Sequence, residues 1–541
     1  MGDSDGGDLD RFSALPDDVL HVILTSLGNA EDVTRTAVLS RRWRRVWTHA
    51  RALSFDDDTY AKRATTVPPP GHLARFVDWA LAQRGVADME SLRISMYRRL
   101  RRASPEQVNE WIRYAMRRVV GAFDLRLPYG LANLWADQKP PVVELSGQGR
   151  AASITLRLPG HALRLPAAAA ADDDGRALGD LVSSSSCPCL RTLAIDCPCG
   201  PPQLVLRAEA LEELRVSWAR DLRTLDVAAP NLRVLELRDS VRYWPGLPLS
   251  VDKAVRIAAP RLQEIRSLSK ASFSRRVAFD IQGLSGVRRL GDLRLGMHGR
   301  YCPATATGLW LLAGTELPCG QSGPLVNLSK LRHWLLESCP RAETVEVSLS
   351  HPLDRDGTLD EFVDLAMEGA APFASVRSMS VYAGGLPDRH LVASISSLLM
   401  RCPCLESLCI EIVKTERDIW LCGCICDGQY KWQNYGKIQL GSLEDQVKIS
   451  GFTGADEEMD LVTLLFESSN SIKSMTLNAA AERTGAFVSF KWMLEGEQDD
   501  DSQKIDQKLT RIRCTDGGRW HFGEKIYTWT RRTTENAQLA M

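Results

Sequence analysis

The feature of this sequence that most restricts its fold is an apolar pattern that recurs every 21 residues in the middle of the chain. Longer segments with apolar residues at their first, fourth and sixth positions alternate with short pairs of apolar residues two positions apart. The longer segments are Leu190-Leu193-Ile195, Leu211-Leu214-Val216 and Leu232-Leu235-Leu237, and the short pairs are Leu204-Leu206, Leu225-Val227 and Val255-Ile257. Such alternation is typical of strands with one buried face. Each step of 21 residues holds one longer segment and one short pair, which leaves no room for a long helix. The pattern therefore predicts coils of strand, turn and strand, with the longer pattern on the concave side.

Longer units, each a helix followed by a strand, flank this middle region. Residues 72–85 and 105–120 have helical spacing, and each run precedes a strand-like segment. These segments are Met89-Leu92-Ile94 and Val120-Phe123-Leu125, and later ones begin at Ala342, Leu405 and Ile472. Leucine-rich repeats are built from such units, because alternate strand residues point inward and stack on the next repeat. We therefore expect an α/β leucine-rich-repeat solenoid over residues 72–440. A nine-residue insertion after the coil at Leu232 is expected to bulge from one edge of the solenoid.

The N-terminal stretch 13–55 is helical instead. A first helix is predicted by apolar residues at three- and four-residue steps, which are Leu15, Val19, Leu20, Ile23, Leu24 and Leu27. Pro16 suits the first helical position, where its missing N–H costs nothing. Asn29 and Ser40 are suited to cap a second and a third helix. The apolar side of the second holds Val33, Ala37 and Val38, and one face of the third holds Trp43 and Trp47. Three short helices make too small a core to stand well alone, so we expect the surplus apolar surface to need a partner.

Two runs in this stretch, LPDDVLHVIL and VLSRRWRRVW, resemble an F-box of the plant type. The resemblance implies a three-helix module that docks on the Skp-type linker protein of a cullin-based SCF ubiquitin ligase, while the rest of the chain presents a substrate. The residues that match, and that the resemblance assigns to linker binding, are Leu15, Pro16, Val19, Leu20, Ile23, Leu24, Leu27, Val38, Leu39, Ser40, Trp43 and Trp47. The arginines between Arg41 and Arg45 could face acidic residues of the linker protein.

Residues 443–477 resemble the FBD region found near the end of many plant F-box/LRR proteins. The matching landmarks are Val447, Ile449, Phe452, Leu461, Leu464, Leu465, Ile472 and Met475. The whole architecture therefore resembles the plant F-box/FBD/LRR family. The expected divisions are a disordered tail at 1–12, the F-box at 13–55, an inter-domain linker at 56–71, the solenoid at 72–440, an FBD-like segment that closes it at 441–482, and a partly disordered extension at 483–541. The aromatic stretch near the end is predicted to be either a last strand or an unpaired end.

Composition and motifs point away from chemistry carried out by this chain. The formal net charge is −1, which favours neither nucleic acid nor membrane as a partner. The chain begins MGDSDGGDLD and has no apolar run of eighteen residues, so we expect a cytosolic or nuclear protein with reduced cysteines. The C-x-C spacings at Cys187/Cys189, Cys197/Cys199 and Cys422/Cys424/Cys426 are not those of structural zinc sites. Phosphate-loop, dinucleotide, serine-hydrolase and metalloprotease motifs are also missing. We predict no catalytic residue, no metal and no cofactor.

Two functions remain open at this point. The first is a substrate-recognition adaptor of an SCF-type ubiquitin ligase, with the leucine-rich repeats binding a protein substrate. The alternative is a non-catalytic leucine-rich-repeat scaffold or nuclear regulator whose F-box surface binds another partner. Residues 98–102, RRLRR, fit a solvated loop, a nuclear-import patch or a ligand rim. Co-purification with a cullin through the linker protein would separate the two functions.

Overall fold

The structure is a computed structural model that divides into two compact units. Unit 1 comprises Met1–Leu262 and Leu268–Gly283, and unit 2 comprises Gln263–Ser267 and Leu284–Met541. The residues that the structure describes are 15–58, 71–96, 103–128, 142–144, 148–159, 161–164, 184–197, 203–218, 224–239, 253–268, 277–296, 335–336, 338–349, 363–364, 373–384, 391–413, 440, 443, 446–469, 471–480, 500–512, 518–523 and 525–531.

The helices of the described residues fall where apolar residues recur at helical spacing. They are α1 Asp17–Leu27, α2 Ala30–Arg35, α3 Trp43–Val46, α4 His72–Arg84 and α5 Pro105–Arg118 in unit 1, and α6 Leu391–Leu399, α7 Asp456–Ser468 and α8 Asp500–Arg511 in unit 2. Short 3₁₀ turns follow α2 at Thr36–Val38 and α3 at Trp47–His49. Within the described part of the chain, no helix is both long and apolar enough to cross a bilayer.

Helix α5 shows how a local sequence signal becomes a tertiary contact. Ser104, directly before Pro105, and Gln107 in the first turn form a reciprocal capping box. The side-chain amide of Gln107 and the indole N–H of Trp111 also donate to the two carboxylate oxygens of Asp78 on α4, at 2.6 and 2.7 Å. The cap therefore fixes both the start of α5 and its position against α4.

The strands of unit 1 form two parallel arrays in chain order. The main sheet contains β1 Ala52–Asp56, β2 Met89–Ser95, β3 Val119–Arg126, β5 Ser153–Arg157, β7 Thr192–Cys197, β9 Glu213–Trp218 and β11 Val234–Asp239. The second sheet contains β8 Gln203–Arg207, β10 Thr224–Ala228, β12 Lys253–Ala258 and β14 Val277–Ile281. Strands β4 Val142–Glu144 and β6 Ala162–Arg164 pair with each other.

The prediction of strand, turn and strand within each 21-residue coil is confirmed. Leu193 pairs with Leu214, and Leu214 with Leu235, so equivalent leucines stack across neighbouring coils in the main sheet. The short apolar pairs stack in the same way in the second sheet, where Leu204 is in register with Leu225. All of these side chains are buried. The apolar repeat therefore supplies the buried residues of both sheets of unit 1.

Unit 2 repeats the parallel arrangement with longer coils. Its strands in pairing order are β13 Glu264–Leu268, β15 Arg289–Gly296, β16 Thr344–Leu349, β18 Ser378–Gly384, β19 Ser407–Val413, β20 Gln446–Phe452 and β21 Ser474–Ala479. A short strand, β17 Val363–Asp364, pairs with the end of β15. The predicted helix-and-strand units before Leu405 and Ile472 are confirmed as α6 with β19 and α7 with β21. The eight landmarks of the FBD-like segment are all buried.

A carboxylate fixes the start of α7. Glu458 is 1% exposed and accepts hydrogen bonds from the backbone N–H groups of Thr453 and Gly454, at 2.6 and 3.0 Å. Glu458 itself lies in the first turn of the helix, where a negative charge is favoured. Lys508 of α8 donates to the Gly454 carbonyl and to Asp456, so α8 is held against the same turn.

The C-terminal extension contains regular elements among its described residues. Asp500–Arg511, which follows several acidic residues, is helix α8. Its Leu509 is fully buried, so helical spacing of a few apolar residues outweighs the local excess of acid. The late aromatic stretch is paired. Strands β22 Arg519–Gly523 and β23 Ile526–Thr530 form a hairpin, and β23 adds to β21 in antiparallel orientation.

Charged residues alternate along the edge of the sheets, immediately before the strands. In unit 2 this rim reads Arg288, Glu343, Arg377 and Glu406, and each backbone carbonyl accepts from the next residue of the series. Ion pairs join Arg288 to Glu343 at 3.8 Å and Arg377 to Glu406. In unit 1, Arg191 pairs with Glu212 at 3.8 Å.

Some sequence predictions lie outside the described residues. These are the tail at 1–12, most of the inter-domain linker, the basic run 98–102, the insertion after Asp239, and the cysteines Cys199, Cys422, Cys424 and Cys426.

Candidate functional site

The N-terminal helices form a small module with its own core. α1 contributes Leu20 and Leu24, which are fully buried, and α2 contributes Val33. Trp43 and Trp47 are 4% and 3% exposed, so the predicted tryptophan face points inward. Four of the twelve residues assigned to linker binding, namely Leu20, Leu24, Trp43 and Trp47, thus pack inside the module.

Local capping follows the prediction at Asn29. The predicted cap Ser40 lies two residues before Arg42, which directly precedes α3. Asn29 Oδ1 accepts from the backbone N–H of Glu31 at 2.8 Å, and Ser40 Oγ accepts from that of Trp43 at 3.3 Å. Pro16, however, is the residue before the helix and not its first helical residue, because its ψ of 153° is extended. Its carbonyl still accepts from the backbone N–H groups of Val19 and Leu20, at 3.1 and 3.2 Å.

The remaining predicted residues surround this core at the surface. Val38 was expected on the apolar side of the second helix, but it is 82% exposed, because α2 ends at Arg35 and a 3₁₀ turn carries Val38 outward. Leu39 is 63% exposed. The other predicted residues are exposed at Pro16, Val19 and Leu27, and half-buried at Leu15, Ile23 and Ser40. Val22, which the sequence pattern missed, is also exposed. We call Val19, Val22, Leu27, Val38 and Leu39 the apolar surface of the module.

The module is packed directly against the first helix-and-strand unit. The indole of Trp47 stacks on that of Trp79 from α4, with ring centroids 5.5 Å apart, and Phe55 meets Phe76 edge to face at 5.4 Å. Strand β1 begins only three residues after the 3₁₀ turn that ends at His49, and it pairs with β2. The boundary expected at residue 55 therefore lies inside a strand that belongs to the main sheet.

Of the arginines in and just before the third helix, one is already paired within the module. Arg42 Nε donates to Asp17 Oδ1 at 2.8 Å, which ties this arginine to the first turn of α1. Arg41, Arg44 and Arg45 are exposed. They lie in the same module as the apolar surface and could meet carboxylates of a partner.

The buried cysteines Cys187, Cys339 and Cys402 have the environment of structural side chains. Burial raises the pKa of Cys339 and of Cys402 to about 12, and it also raises the pKa of Cys187. A thiol with a raised pKa holds little thiolate, which is the nucleophilic form and the metal-binding form. Among the described residues, no group of histidines, cysteines and carboxylates could hold a metal ion.

These environments predict a pattern of alkylation. We expect iodoacetamide at neutral pH to modify the exposed Cys189 and Cys404 in the folded chain, and to spare Cys339 and Cys402 until denaturant is added. Peptide mass spectrometry after a timed reaction measures this directly. Rapid modification of Cys402 in the folded chain would contradict its buried, protonated state.

Comparison with known proteins agrees with the geometry of the N-terminal module. Residues 12–53 match the F-box domain family. An FBD-associated F-box protein of Arabidopsis thaliana is 32% identical over 123 residues, which cover 22% of this chain and 27% of that protein. An F-box/LRR-repeat protein of the same plant is 27% identical over 246 residues, 43% of this chain and 48% of that protein. F-box/LRR-repeat protein 25, also from this plant, is 49% identical over 47 residues, 9% of this chain and 18% of that protein.

The chain therefore spans between about a fifth and about a half of the length of these relatives. The resemblance predicted from the runs at Leu15 and Val38 is confirmed. This chain carries an F-box domain at its N-terminus and is related to the FBD-associated F-box and F-box/LRR-repeat proteins of Arabidopsis thaliana.

Proposed function

We propose that this chain is the substrate-recognition subunit of an SCF-type ubiquitin ligase. In this proposal the F-box docks on a Skp-type linker protein, and the leucine-rich-repeat strands bind a protein substrate. The chain contributes affinity and geometry, and the bond chemistry belongs to other subunits. Holding the substrate beside the ubiquitin donor raises its effective concentration there.

The observation that carries the proposal is the apolar surface of the F-box. The core of this module is already filled by Leu20, Leu24, Val33, Trp43 and Trp47. Val38 and Leu39 are not part of this core. They are adjacent in the chain and largely exposed. Apolar side chains grouped on an exposed surface mark an interaction site. Burying one such side chain fully is worth about 1.5 to 3 kcal/mol.

The in-register coils of both units support the second half of the proposal. Parallel strands paired in chain order, with equivalent leucines stacked, suit a leucine-rich-repeat solenoid. The FBD-like segment would then be the last full coil, β20 to β21, followed by the hairpin β22–β23. We further propose a cytosolic or nuclear location, since Cys189 and Cys404 are free and exposed, as reducing compartments allow.

Direct binding to a plant Skp-type linker protein tests this proposal. We expect the full-length chain to bind, and the double variant Val38→Glu/Leu39→Glu to bind about 100-fold more weakly, because it would bury unpaired charge in the interface. Stability of the variant should change by no more than about 0.5 kcal/mol per site, since both residues are exposed. Affinity is measured by titration calorimetry.

The matched control is Met400→Glu, which places the same charge on an exposed apolar residue of unit 2 and should bind normally. Failure of the unmodified chain to bind would overturn the adaptor function. It would favour a repeat scaffold whose F-box has another partner. Normal binding by the double variant would overturn the assignment of the docking surface.

A further inference from the structure

One face of the main sheet in unit 1 carries a set of arginines in regular positions. Each follows a buried strand residue, as Arg93 follows Leu92, so its side chain leaves the sheet on the side away from the core. We call this the arginine face and define it by Arg93, Arg126, Arg157, Arg215 and Arg238, which come from β2, β3, β5, β9 and β11.

The arginine face carries carboxylates as well as arginines, but the arginine side chains are more exposed than the carboxylates. The arginine side chains are 35% to 58% exposed. The carboxylates that pair with them, Asp124, Asp196, Glu213 and Glu236, are only 12% to 22% exposed. A further carboxylate, Asp56, is half-buried at the end of β1. A partner that approaches the sheet therefore meets guanidinium groups before it meets carboxylates.

The arginines are also held in place before any partner arrives. Arg215 contacts Glu213 at 2.8 Å and Glu236 at 3.3 Å, and Arg238 contacts Glu236 at 2.8 Å. A guanidinium has five N–H donors in a rigid fork, so one carboxylate does not use all of them. Ordering the side chain in advance lowers the entropy that a partner would otherwise lose on binding.

Two of the arginines oppose each other directly. Arg126 on β3 is in register with Arg157 on the neighbouring strand β5, and like charges in this position repel. The carboxylate beside Arg157 is at 3.6 Å, longer than a good charge-assisted hydrogen bond. Arg126 is already paired with Asp124 at 2.9 Å, so the gain from a carboxylate of a partner falls on Arg157.

The centre of the face has room for a chain to lie across it. On this face strands β5 and β7 carry the small residues Ser153, Thr155, Thr192 and Ala194, followed by Arg157 and Asp196 near their ends. Arg157 on β5 and Arg215 on β9 lie two strand spacings apart across the sheet and two residues apart along it, which together make about 12 Å. An extended peptide covers that distance with about three to four residues.

From these observations we infer that the arginine face binds an extended acidic segment of a partner protein, with aspartate or glutamate about three positions apart. The inference deepens the proposed function by naming the class of substrate. It rests on the proposed function only for what happens to the protein after it is bound. The carboxylates of the segment accept from the guanidinium groups, and its backbone lies over the small residues of β5 and β7.

A peptide titration with the full-length chain tests the inference without any linker protein. The probes are a fluorescein-labelled peptide of about ten residues with aspartates about three positions apart, and the same peptide with asparagine in their place. We expect the acidic peptide to bind at least about tenfold more tightly, the equivalent of one charge-assisted hydrogen bond. Fluorescence anisotropy reports both affinities, and added salt should weaken the acidic peptide more.

Variants then locate the site. Arg157→Gln/Arg215→Gln should lose the preference for the acidic peptide, while Arg157→Lys/Arg215→Lys, which keeps the charge but not the fork, should retain part of it. The matched control is Arg207→Gln/Arg256→Gln, which removes two exposed arginines from the second sheet of unit 1. Circular dichroism checks that each variant is folded.

The inference is supported if Arg157→Gln/Arg215→Gln loses the preference for the acidic peptide and Arg207→Gln/Arg256→Gln keeps it. Equal affinity for the two peptides, or equal loss in the control variant, would overturn it, because either result would mean that no site on this face selects carboxylates. Since the assay contains no linker protein, a chain that binds the linker protein but not the acidic peptide overturns this inference and leaves the proposed function intact.

Discussion

Replacing Trp47 by alanine is expected to lower the free energy of unfolding of the F-box and its neighbouring coil by about 3 to 5 kcal/mol. The indole is 3% exposed and is buried between the helices of the module and α4. Its removal would leave a cavity at the place where the F-box is joined to the sheet. Thermal denaturation of the full-length chain, with limited proteolysis to locate the unfolded part, measures the effect.

The partner of the stack supplies the control. Trp79 makes the same ring contact but is 46% exposed, so Trp79→Ala should cost only the stacking term of about 0.5 to 1.5 kcal/mol and a fraction of the burial term. Equal stability losses in the two variants would contradict the buried position of Trp47. Weaker linker binding by Trp43→Ala or Trp47→Ala would likewise report a damaged module, because both indoles are buried inside it.

In unit 2, Trp529→Ala is expected to be as damaging, at about 3 to 5 kcal/mol. This residue of β23 is 2% exposed and meets Phe466 of α7 edge to face at 4.9 Å. It also pairs with Met475 of β21, so it connects the C-terminal hairpin to both elements of the last coil. Urea denaturation followed by tryptophan fluorescence gives the stability, and hydrogen exchange in α7 shows whether the helix loosens with the hairpin.

Ile526→Ala is the matched control on the same strand. Its side chain is 49% exposed, so the change should stay within about 0.5 kcal/mol. A large loss in this variant, or none in Trp529→Ala, would show that the hairpin is not held by the contacts at Trp529. The FBD-like segment would then not depend on the residues that follow it.

The repeat pattern was predictable because the same apolar alternation recurs at a fixed step of 21 residues, which chance spacing of apolar residues does not produce. The alternation at Leu193 and Ile195 recurs in the next coil at Leu214 and Val216, and each match adds a neighbour whose register agrees with it. The cap at Asn29 was also predictable, since its side-chain oxygen accepts from an N–H only two residues away.

The division of the F-box residues into core and surface was not predictable in the same way. Leu24 and Leu27 lie on one helical stripe, yet Leu24 is fully buried and Leu27 is 40% exposed. Burial depends on which neighbours stand opposite, and spacing along one helix does not contain that information. Val38 shows the same limit, because a helix that ends three residues earlier turns its side chain outward.

The pairing of the C-terminal hairpin could not be predicted from the sequence pattern, for a different reason. Its strands carry Trp520 and Trp529, but their burial requires Phe466, which is far away in the sequence. A short alternating segment can be a strand only if an edge is available to pair with it. Here that edge is β21, and the repeat pattern alone does not reveal whether it is free.

Along the rim before the strands of unit 2, the sign of the charge alternates from one coil to the next, so an even and an odd change in the number of coils have different effects. A chain that lost only the coil carrying Glu343 would set Arg288 beside Arg377, two like charges on adjacent strands. A chain that lost the coils carrying Glu343 and Arg377 together would set Arg288 beside Glu406 and keep the alternation. Each exposed pair is worth no more than about 1 kcal/mol, so the rim does not hold the fold together. It does make the gain or loss of coils easier in even numbers than in odd ones.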